Sequence, residues 1–272
     1  METASDHAKR YQRQLEVLRS WKRGPLDIFC LQEVNPLPNR LDEIQAALDC
    51  NAGSCTVNAG VKIGNLGIPP GLREGLAILI NNGFENRTFR ELTLSGDALE
   101  YAQLVFQTKE RRKALLFEGT FGGVRMGVIN LHLHHGPDTD PKNLERKKSE
   151  LQKLMAWIEQ RMKSWDITAV CGDFNCAGSS PCLEPLLSLG FQDSANLADI
   201  EALPTWDPSI NSLAHQSSVL ADSPETEKWD ATPQVLDRIY LKTKTNLSGV
   251  SLTQIREPEL SDHFGLCVEM TY

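Results

Sequence analysis

Apolar residues recur with two different periods along the chain, and each period predicts a different kind of element. Apolar positions three or four residues apart predict helices over residues 11–22, 41–48 and 143–163. Runs that are apolar throughout, or that alternate by two, predict strands over residues 27–34, 75–80, 114–118, 124–133, 167–171, 235–241, 249–255 and 264–270. Strands interleaved with helices predict an α/β fold in which packed sheets are covered by helices.

Two stretches show neither period. Residues 51–73 are rich in Gly, Asn and Pro and are predicted to form a loop. Residues 196–234 are polar and weakly periodic, and a loop of that length is more often functional than idle. The chain shows no internal repeat and no dividing linker, so residues 1–272 are predicted to form a single domain.

The amino-acid composition and net charge limit the classes of protein to which the chain can belong. The 272 residues include 40% hydrophobic and 24% charged positions, enough apolar material for a core. A formal charge of −8 argues against attachment to nucleic acid by bulk charge alone, although a local basic groove remains compatible with it. We expect no transmembrane segment and no signal peptide, and seven cysteines without a CxxC pair favour an intracellular (cytoplasmic or nuclear) protein.

Polar residues stand at the ends of several predicted apolar strands, and the set comprises Glu33, His132, Asp173, Asn175, Asp262 and His263. A carboxylate at such a position is costly to desolvate unless something pairs with it. Each residue alone would more often cap a turn or a helix. Together, at the strand ends where α/β folds place their sites, they predict a functional cluster.

The residue types in this cluster suit one kind of reaction. Glu33 and Asp173 offer hard oxygen ligands for Mg²⁺ or Mn²⁺. Asn175 can hold a phosphate oxygen or a water, and His263, oriented by Asp237, can donate to a phosphoryl oxygen. These groups meet the needs of metal-assisted phosphoester hydrolysis.

Five short segments in order resemble the motifs of the endonuclease/exonuclease/phosphatase superfamily: Leu31-Gln32-Glu33, Asn130-Leu131-His132-Leu133, Gly172-Asp173-Phe174-Asn175, Leu236-Asp237-Arg238-Ile239 and Ser261-Asp262-His263-Phe264-Gly265. The resemblance implies a four-layer α/β sandwich, with two packed mixed sheets flanked by helices. It also implies roles. Glu33 and Asp262 would bind the metal ion, and Asp173 would orient or deprotonate the attacking water. Asn175 and His132 would hold the phosphate, and His263, oriented by Asp237, would stabilise the transition state.

Within the superfamily, the segment Pro204-Thr205-Trp206-Asp207 followed by Asn211 is most similar to the 5′-tyrosyl-DNA phosphodiesterase branch. There the tryptophan would lie beside a nucleotide, and Asn211 would also face the substrate. A Trp on a polar loop can stack a base, but it can equally fold back to cover the loop. Arg73 and Arg238 are candidate phosphate contacts. A nucleic-acid or nucleotide phosphodiester is therefore the expected substrate, while the oligomeric state stays open.

Two alternatives stay open. A sphingomyelinase-like lipid phosphodiesterase has the same five motifs, and it would need exposed apolar residues on a loop, for which Ile63, Leu66 and Ile68 are candidates. A catalytically impaired phosphate-binding relative is the other. The superfamily normally begins with a strand carrying an active-site Asn, and residues 1–10 contain neither an apolar run nor an Asn. Either the sequence begins after that strand or the protein lacks it, and in the second case one flank of the Glu33 strand would be unpaired.

Two runs of positive charge complete the sequence-based expectations. Residues 109–113 (Lys-Glu-Arg-Arg-Lys) could hold phosphate but are interpreted as a solvated turn. Arg146, Lys147 and Lys148 are placed on the exposed side of the long predicted helix for the same reason.

Overall fold

A computed structural model describes residues 4–22, 24, 27–63, 68–96, 98–102, 106–221, 232–257 and 259–272. Its helices are α1 (Ala4–Ser20), α2 (Asn39–Leu48), α3 (Pro141–Met162), α4 (Glu184–Leu187), α5 (Ser194–Leu197) and α6 (Ser212–Ala221). Its strands are β1 (Ile28–Val34), β2 (Ala52–Ile63), β3 (Arg73–Ile80), β4 (Glu85–Thr93), β5 (Ala98–Ala102), β6 (Phe106–Glu110), β7 (Lys113–Phe121), β8 (Val124–His132), β9 (Ile167–Asp173), β10 (Gln192–Asp193), β11 (Asp237–Thr243), β12 (Gly249–Ile255) and β13 (Gly265–Thr271).

Two large sheets pack against each other. The six-stranded sheet has the order β10-β11-β9-β8-β7-β4, in which β8 and β9 run parallel and the other neighbours antiparallel. The five-stranded sheet has the order β1-β3-β2-β6-β5 and is antiparallel throughout. Strands β12 and β13 form a separate hairpin. This arrangement confirms the α/β fold with packed sheets and flanking helices.

Three buried clusters define the four layers. The alternation of side chains along a strand explains how one strand serves two clusters. In β3, Ile78 and Ile80 face the second sheet, whereas Leu79 faces helices α1 and α2. In β7, Phe117 faces the first sheet, whereas Leu116 faces helix α3. The order of layers is therefore α1 and α2, five-stranded sheet, six-stranded sheet, α3 with α4.

Long helix α3 begins as its sequence indicates. Asp140 is the N-cap, and its side chain accepts a hydrogen bond from the backbone N–H of Lys142, with Pro141 in the first turn. Leu151, Leu154 and Ile158 on one face are fully buried against the six-stranded sheet. Burial of this face holds α3 beside the strands that end at the candidate site.

The structure corrects two of the loop predictions. The prediction of a loop over 51–73 is wrong for Ala52–Ile63, which form strand β2 between β3 and β6. Pairing on both flanks outweighs its Gly and Asn content, because sheet context commonly overrides local β-propensity. The long loop over 196–234 contains helix α6, and residues 222–231 lie outside the described residues. Strands β4, β5 and β6 had no counterpart in the sequence-based prediction.

No helix among the described residues is both long and apolar enough to span a bilayer.

Candidate active site

Three predicted catalytic residues meet at one end of the six-stranded sheet. Strands β8, β9 and β11 are neighbours, and their register places His132 beside Asp173 and Asp237 on its other side. The Nε2 atom of His132 lies 3.4 Å from the Asp173 Oδ2 atom. The three side chains are tens of residues apart in sequence. Strand pairing brings them to one edge of the sheet.

The turn after β9 fixes Asp173 and Asn175. Gly172 has a φ of +129°, and a Cβ atom there would collide with the carbonyl oxygen of Leu131, so the close strand approach requires glycine. Asn175 has a φ of 50°, and its backbone N–H donates to Asp173 Oδ1 at 2.8 Å. Its Nδ2 atom donates to the carbonyl oxygen of Leu133 at 3.2 Å. The two side chains are therefore held in place by the backbone.

His263 comes from the segment before β13 and completes the group. Its Nδ1 atom lies 2.7 Å from Asp237 Oδ2, the contact predicted to fix the histidine tautomer. Burial alone would lower the pKa of His263. The carboxylates of Asp237, Asp173 and Asp262 outweigh burial and hold that pKa well above its usual value. His263 therefore carries a positive charge at neutral pH.

Asp173 and His132 lie next to His263, and their surroundings shift the pKa of each towards the uncharged side chain. Burial, followed by the negative charge of Asp237, raises the pKa of Asp173 to about 6. Burial, followed by the positive charges of Arg112 and His263, holds the pKa of His132 well below its usual value. At neutral pH the site thus combines an ionised Asp173, a neutral His132 and a charged His263, so that its two histidines have different chemical properties.

Glu33 stands at the end of β1 with a φ of 53°. Its side chain remains accessible to water, yet surrounding protein desolvates the carboxylate in part. That desolvation, followed by repulsion from Glu74 and Asp262, raises the pKa of Glu33 to about 7. A nearby cation stabilises a carboxylate that stands among like charges, so these oxygen donors suit a hard divalent ion. Glu33 and Asp262 are the residues that would hold it.

The donor atoms do not form a closed cage. In the described part of the chain, no three His, Cys, Asp or Glu side chains are grouped tightly enough to hold a metal ion by themselves. Mg²⁺ commonly binds through one or two carboxylates together with water and substrate phosphate, so an open arrangement of this kind fits it.

Two of the predicted substrate contacts face inward. Trp206 is 5% exposed and packs against Ala214 and Leu236, with a backbone bridge to His263. Asn211 is 1% exposed and donates from Nδ2 to a backbone carbonyl at 2.8 Å. This placement favours the interpretation in which the tryptophan covers its own loop and positions the backbone beside His263.

The two predicted arginine contacts also have internal partners. Arg238 pairs with Asp193 at 2.7 Å and is buried. Arg73 donates from Nε to the carbonyl oxygen of Ile68 at 2.8 Å. Arg238 is thus buried against an internal partner, whereas the described contact of the half-buried Arg73 involves Nε alone, and a phosphate contact by Arg73 stays a prediction.

Three residues near the site were not predicted to be site residues: Glu74, Arg112 and Lys147. Lys147 is fully buried, which corrects its placement on the exposed side of α3. Its Nζ atom donates to the carbonyl oxygens of Gly136, at 2.6 Å, and Asn175, and pairs with Asp138 at 2.8 Å. The helical spacing from Lys147 to Leu151 was a signal that this lysine shares the buried face.

Comparison with known proteins identifies the family to which the chain belongs. The sequence model of the endonuclease/exonuclease/phosphatase family matches residues 4–263. The chain belongs to this family. Its members are generally divalent-metal-dependent phosphoesterases, and this chain has their fold. No curated protein sequence gave a significant match.

Solved structures with this fold include three informative neighbours. Truncated TDP2 from Caenorhabditis elegans has a TM-score of 0.60 at 15% identity, with 97% of this chain and 90% of that chain covered. An endonuclease/exonuclease/phosphatase from Bacteroides vulgatus has a TM-score of 0.63 at 16% identity, covering 96% and 90%. A mannosyl-6-phosphatase from Bacteroides thetaiotaomicron has a TM-score of 0.62 at 16% identity, covering 99% and 96%.

Proposed function

We propose that the protein is a Mg²⁺- or Mn²⁺-dependent phosphodiesterase that acts on nucleic-acid ends or nucleotide-like substrates by in-line attack of water. The observation that carries the proposal is the group formed by His132, Asp173, Asn175, Asp237 and His263. A carboxylate that could act as a base, an amide and a histidine paired with a second carboxylate lie together at one edge of the six-stranded sheet.

Each residue has a distinct task in the proposed reaction. Asp173 accepts the proton of the attacking water, and Asn175 positions the phosphate. His132 stays neutral and holds a phosphoryl oxygen through a hydrogen bond. The charged His263 donates to the oxygen on which negative charge develops, while Asp237 keeps its ring oriented. A divalent ion held by Glu33 and Asp262 would neutralise phosphate charge.

The choice of substrate class rests on the motif resemblance to the 5′-tyrosyl-DNA phosphodiesterase branch, and the TDP2 neighbour supports it. The inward placement of Trp206 removes the expected stacking surface, so the base would need another contact.

Lipid phosphodiester hydrolysis is the second candidate, because one observation favours it. The segments flanking Trp206 expose three large apolar side chains: Ile200 at 46%, Leu203 at 48% and Ile210 at 54%. Exposed apolar residues beside a site can contact an acyl-chain surface. The residues expected in this role, Ile63 and Ile68, are only partly exposed, and Leu66 lies outside the described residues.

The proposal is tested by hydrolysis of bis-p-nitrophenyl phosphate and p-nitrophenyl phosphate with Mg²⁺, Mn²⁺ or a chelator. Metal-dependent turnover that prefers the diester is expected. Turnover of the monoester alone would contradict the diesterase assignment. An oligonucleotide carrying a 5′-phosphotyrosyl group and sphingomyelin vesicles, compared at equal phosphate concentration, then separate the two substrate classes.

A further inference from the structure

Lys147 lies on helix α3, one turn before Leu151, and its side chain is fully buried. Its Nζ atom donates to the carbonyl oxygen of Gly136 at 2.6 Å, to the carbonyl oxygen of Asn175, and to Asp138 Oδ1 at 2.8 Å. A lysine ammonium has three N–H donors, so these contacts use all of them. Lysine is almost never fully buried unless its charge is paired, and Asp138 provides that pairing. Lys147 therefore acts within the protein.

The two carbonyls belong to the loops that follow the parallel strands β8 and β9. Gly136 follows His132 at the end of β8, and Asn175 follows Asp173 at the end of β9. Gly136 has a φ of +112°, and a Cβ atom there would collide with the side chain of Asn143, so this loop has a fixed turn that requires glycine. One buried ammonium thus joins the two loops that extend from the proposed catalytic strands.

The backbone of Asn175 is held on both sides of its Cα atom. Its φ of 50° lies in the left-handed region, which is uncommon for a residue other than glycine. The peptide before Asn175 is held by Asp173 Oδ1, which accepts from the Asn175 N–H at 2.8 Å. The peptide after it is held by Lys147, the donor to the Asn175 carbonyl oxygen. The two contacts together hold φ and ψ of Asn175, and these angles set the direction of its side chain relative to β9.

Loss of Lys147 would release one of these two contacts. The Asn175 carbonyl would then be buried without a donor, and a buried unpaired carbonyl is costly. Return of Asn175 to a more common backbone conformation would change φ and turn its amide relative to the edge that carries Asp173 and His132. A displacement of a catalytic or positioning group by about 1 Å can lower a reaction rate by about a hundredfold.

Taking the proposed phosphoesterase function as given, we propose that Lys147 is a positioning residue, which holds the Asn175 backbone in the conformation that aims the Asn175 amide at phosphate. The charge of Lys147 is paired with Asp138, so the lysine acts through hydrogen-bond geometry and not as a cation for the substrate. Its removal lowers kcat more than it raises KM, because the proposed metal ligands and His132 still bind the phosphate.

The first test compares Lys147→Met with Lys148→Met, which removes the neighbouring lysine that pairs with Glu184 near the surface. Hydrolysis of bis-p-nitrophenyl phosphate is measured well below both melting temperatures. Lys147→Met should lower kcat by about a hundredfold and change KM by less than about threefold. Lys148→Met should leave both values near those of the unchanged protein. A folded Lys147→Met with unchanged kcat would overturn the proposal, and so would a change confined to KM.

The second test determines whether Lys147 acts through Asn175. Asn175→Gly removes the amide, and glycine adopts the left-handed conformation without steric strain. Lys147→Met should lower kcat by about a hundredfold in the unchanged protein but by less than about fivefold in the Asn175→Gly background, since coupled residues are not additive. A purely structural lysine would lower kcat by the same factor in both backgrounds, and that result would contradict the proposal.

Should Lys147→Met fail to fold, Lys147→Gln supplies the same comparison. Its amide has two N–H donors and cannot serve all three partners of the ammonium, so kcat should fall by about tenfold with KM kept. An undiminished kcat in folded Lys147→Gln would argue against any positioning by the lysine.

Failure of the proposed function gives a different result, which is no turnover by the unchanged protein with either metal. The side-chain amide signal of Asn175 in a ¹H–¹⁵N NMR spectrum, identified by its loss in Asn175→Gly, then decides the role of Lys147. The signal should shift in Lys147→Gln and stay in place in Lys148→Met. The same signal position in the unchanged protein and in both variants would show that Lys147 does not aim the amide.

Discussion

The two sheets contribute to the site in different ways. In the six-stranded sheet, β9 pairs on both flanks with β8 and β11, and its Asp173 is hydrogen-bonded to the backbone of Asn175. In the five-stranded sheet, β1 pairs with β3 alone among the described strands, and its Glu33 stands among like charges. The proposed hydrolytic half of the site is thus preorganised by backbone pairing, whereas the proposed metal-binding half has an open arrangement of carboxylates that would suit a cation.

This difference separates two sources of order. Strand register and turn geometry fix Asp173, and they do so whether or not a ligand is present. Desolvation, followed by repulsion from Glu74 and Asp262, raises the pKa of Glu33, so a bound cation would stabilise its ionised form. Substitutions in the first half should therefore affect catalysis, and substitutions in the second should affect the response to metal.

Asp173→Asn should have the largest effect. Loss of the carboxylate removes the proposed base, and turnover of bis-p-nitrophenyl phosphate should fall by about 10³-fold. The amide keeps the size of the side chain, so the melting temperature should change little. Asp42→Asn, an exposed carboxylate on α2, serves as the control and should retain full activity. Retained turnover in Asp173→Asn would show that the preorganised half does not perform the chemistry.

Glu33→Gln should come next, with a fall in turnover of about 10²-fold. Addition of Mg²⁺ should raise the melting temperature of the unchanged protein, because a ligand that binds only the folded state stabilises it. In Glu33→Gln that rise should shrink or vanish. Thermal scans with and without Mg²⁺ measure it, and an equal rise in both proteins would place the metal elsewhere.

Lys147→Met tests the link between the two loops that follow β8 and β9. The substitution leaves the buried carbonyls of Gly136 and Asn175 without their donor and Asp138 without its partner. Unfolding free energy should drop by about 3 kcal/mol, measured by urea denaturation. Lys148 is the next residue along the helix and pairs with Glu184 near the surface. Lys148→Met should lower the unfolding free energy by well under about 1 kcal/mol, as expected for loss of a surface ion pair. Similar losses of unfolding free energy in both variants would mean that the buried contacts of Lys147 stabilise the protein no more than a surface ion pair does.

The smallest expected effect concerns pH. Partial burial and the nearby Arg146 lower the pKa of His134 to about 3, so the folded protein keeps this ring neutral. The unfolded chain takes up the proton below about pH 6.5. The stabilisation is therefore present above that pH and is lost as the pH falls from about 6.5 towards 3.

Between pH 7 and pH 5, the melting temperature of the unchanged protein should consequently fall by about 2 °C more than that of His134→Gln. The shift is discounted because the ring is only half-buried. His215→Gln, an exposed histidine on α6, is the matched control. Parallel pH profiles for His134→Gln and the unchanged protein would contradict the assignment.

The sequence contains a signal for the buried position of Arg112 that the prediction did not use. Arg112 directly precedes β7, two residues before Ala114, which faces α3 as Leu116 does, so strand alternation extended by one residue would have predicted an inward side chain. Charge content alone suggested a solvated turn. Glu74, by contrast, gave no signal, because its relevance depends on the pairing of β1 with β3.

Local sequence determined the elements and the identity of the chemical groups. Periodicity located most strands and the long helix, and the polar residues at strand ends indicated His132, Asp173, Asn175, Asp237 and His263. These features depend on neighbours a few residues away, so one chain suffices to see them. Only the tertiary structure decided which flank of β1 is paired, that Trp206 faces inward and that Lys147 and Arg112 are buried. Each of these follows from contacts between segments far apart in sequence, and in such contacts burial and register are set by the partner strand or helix and not by the residue itself.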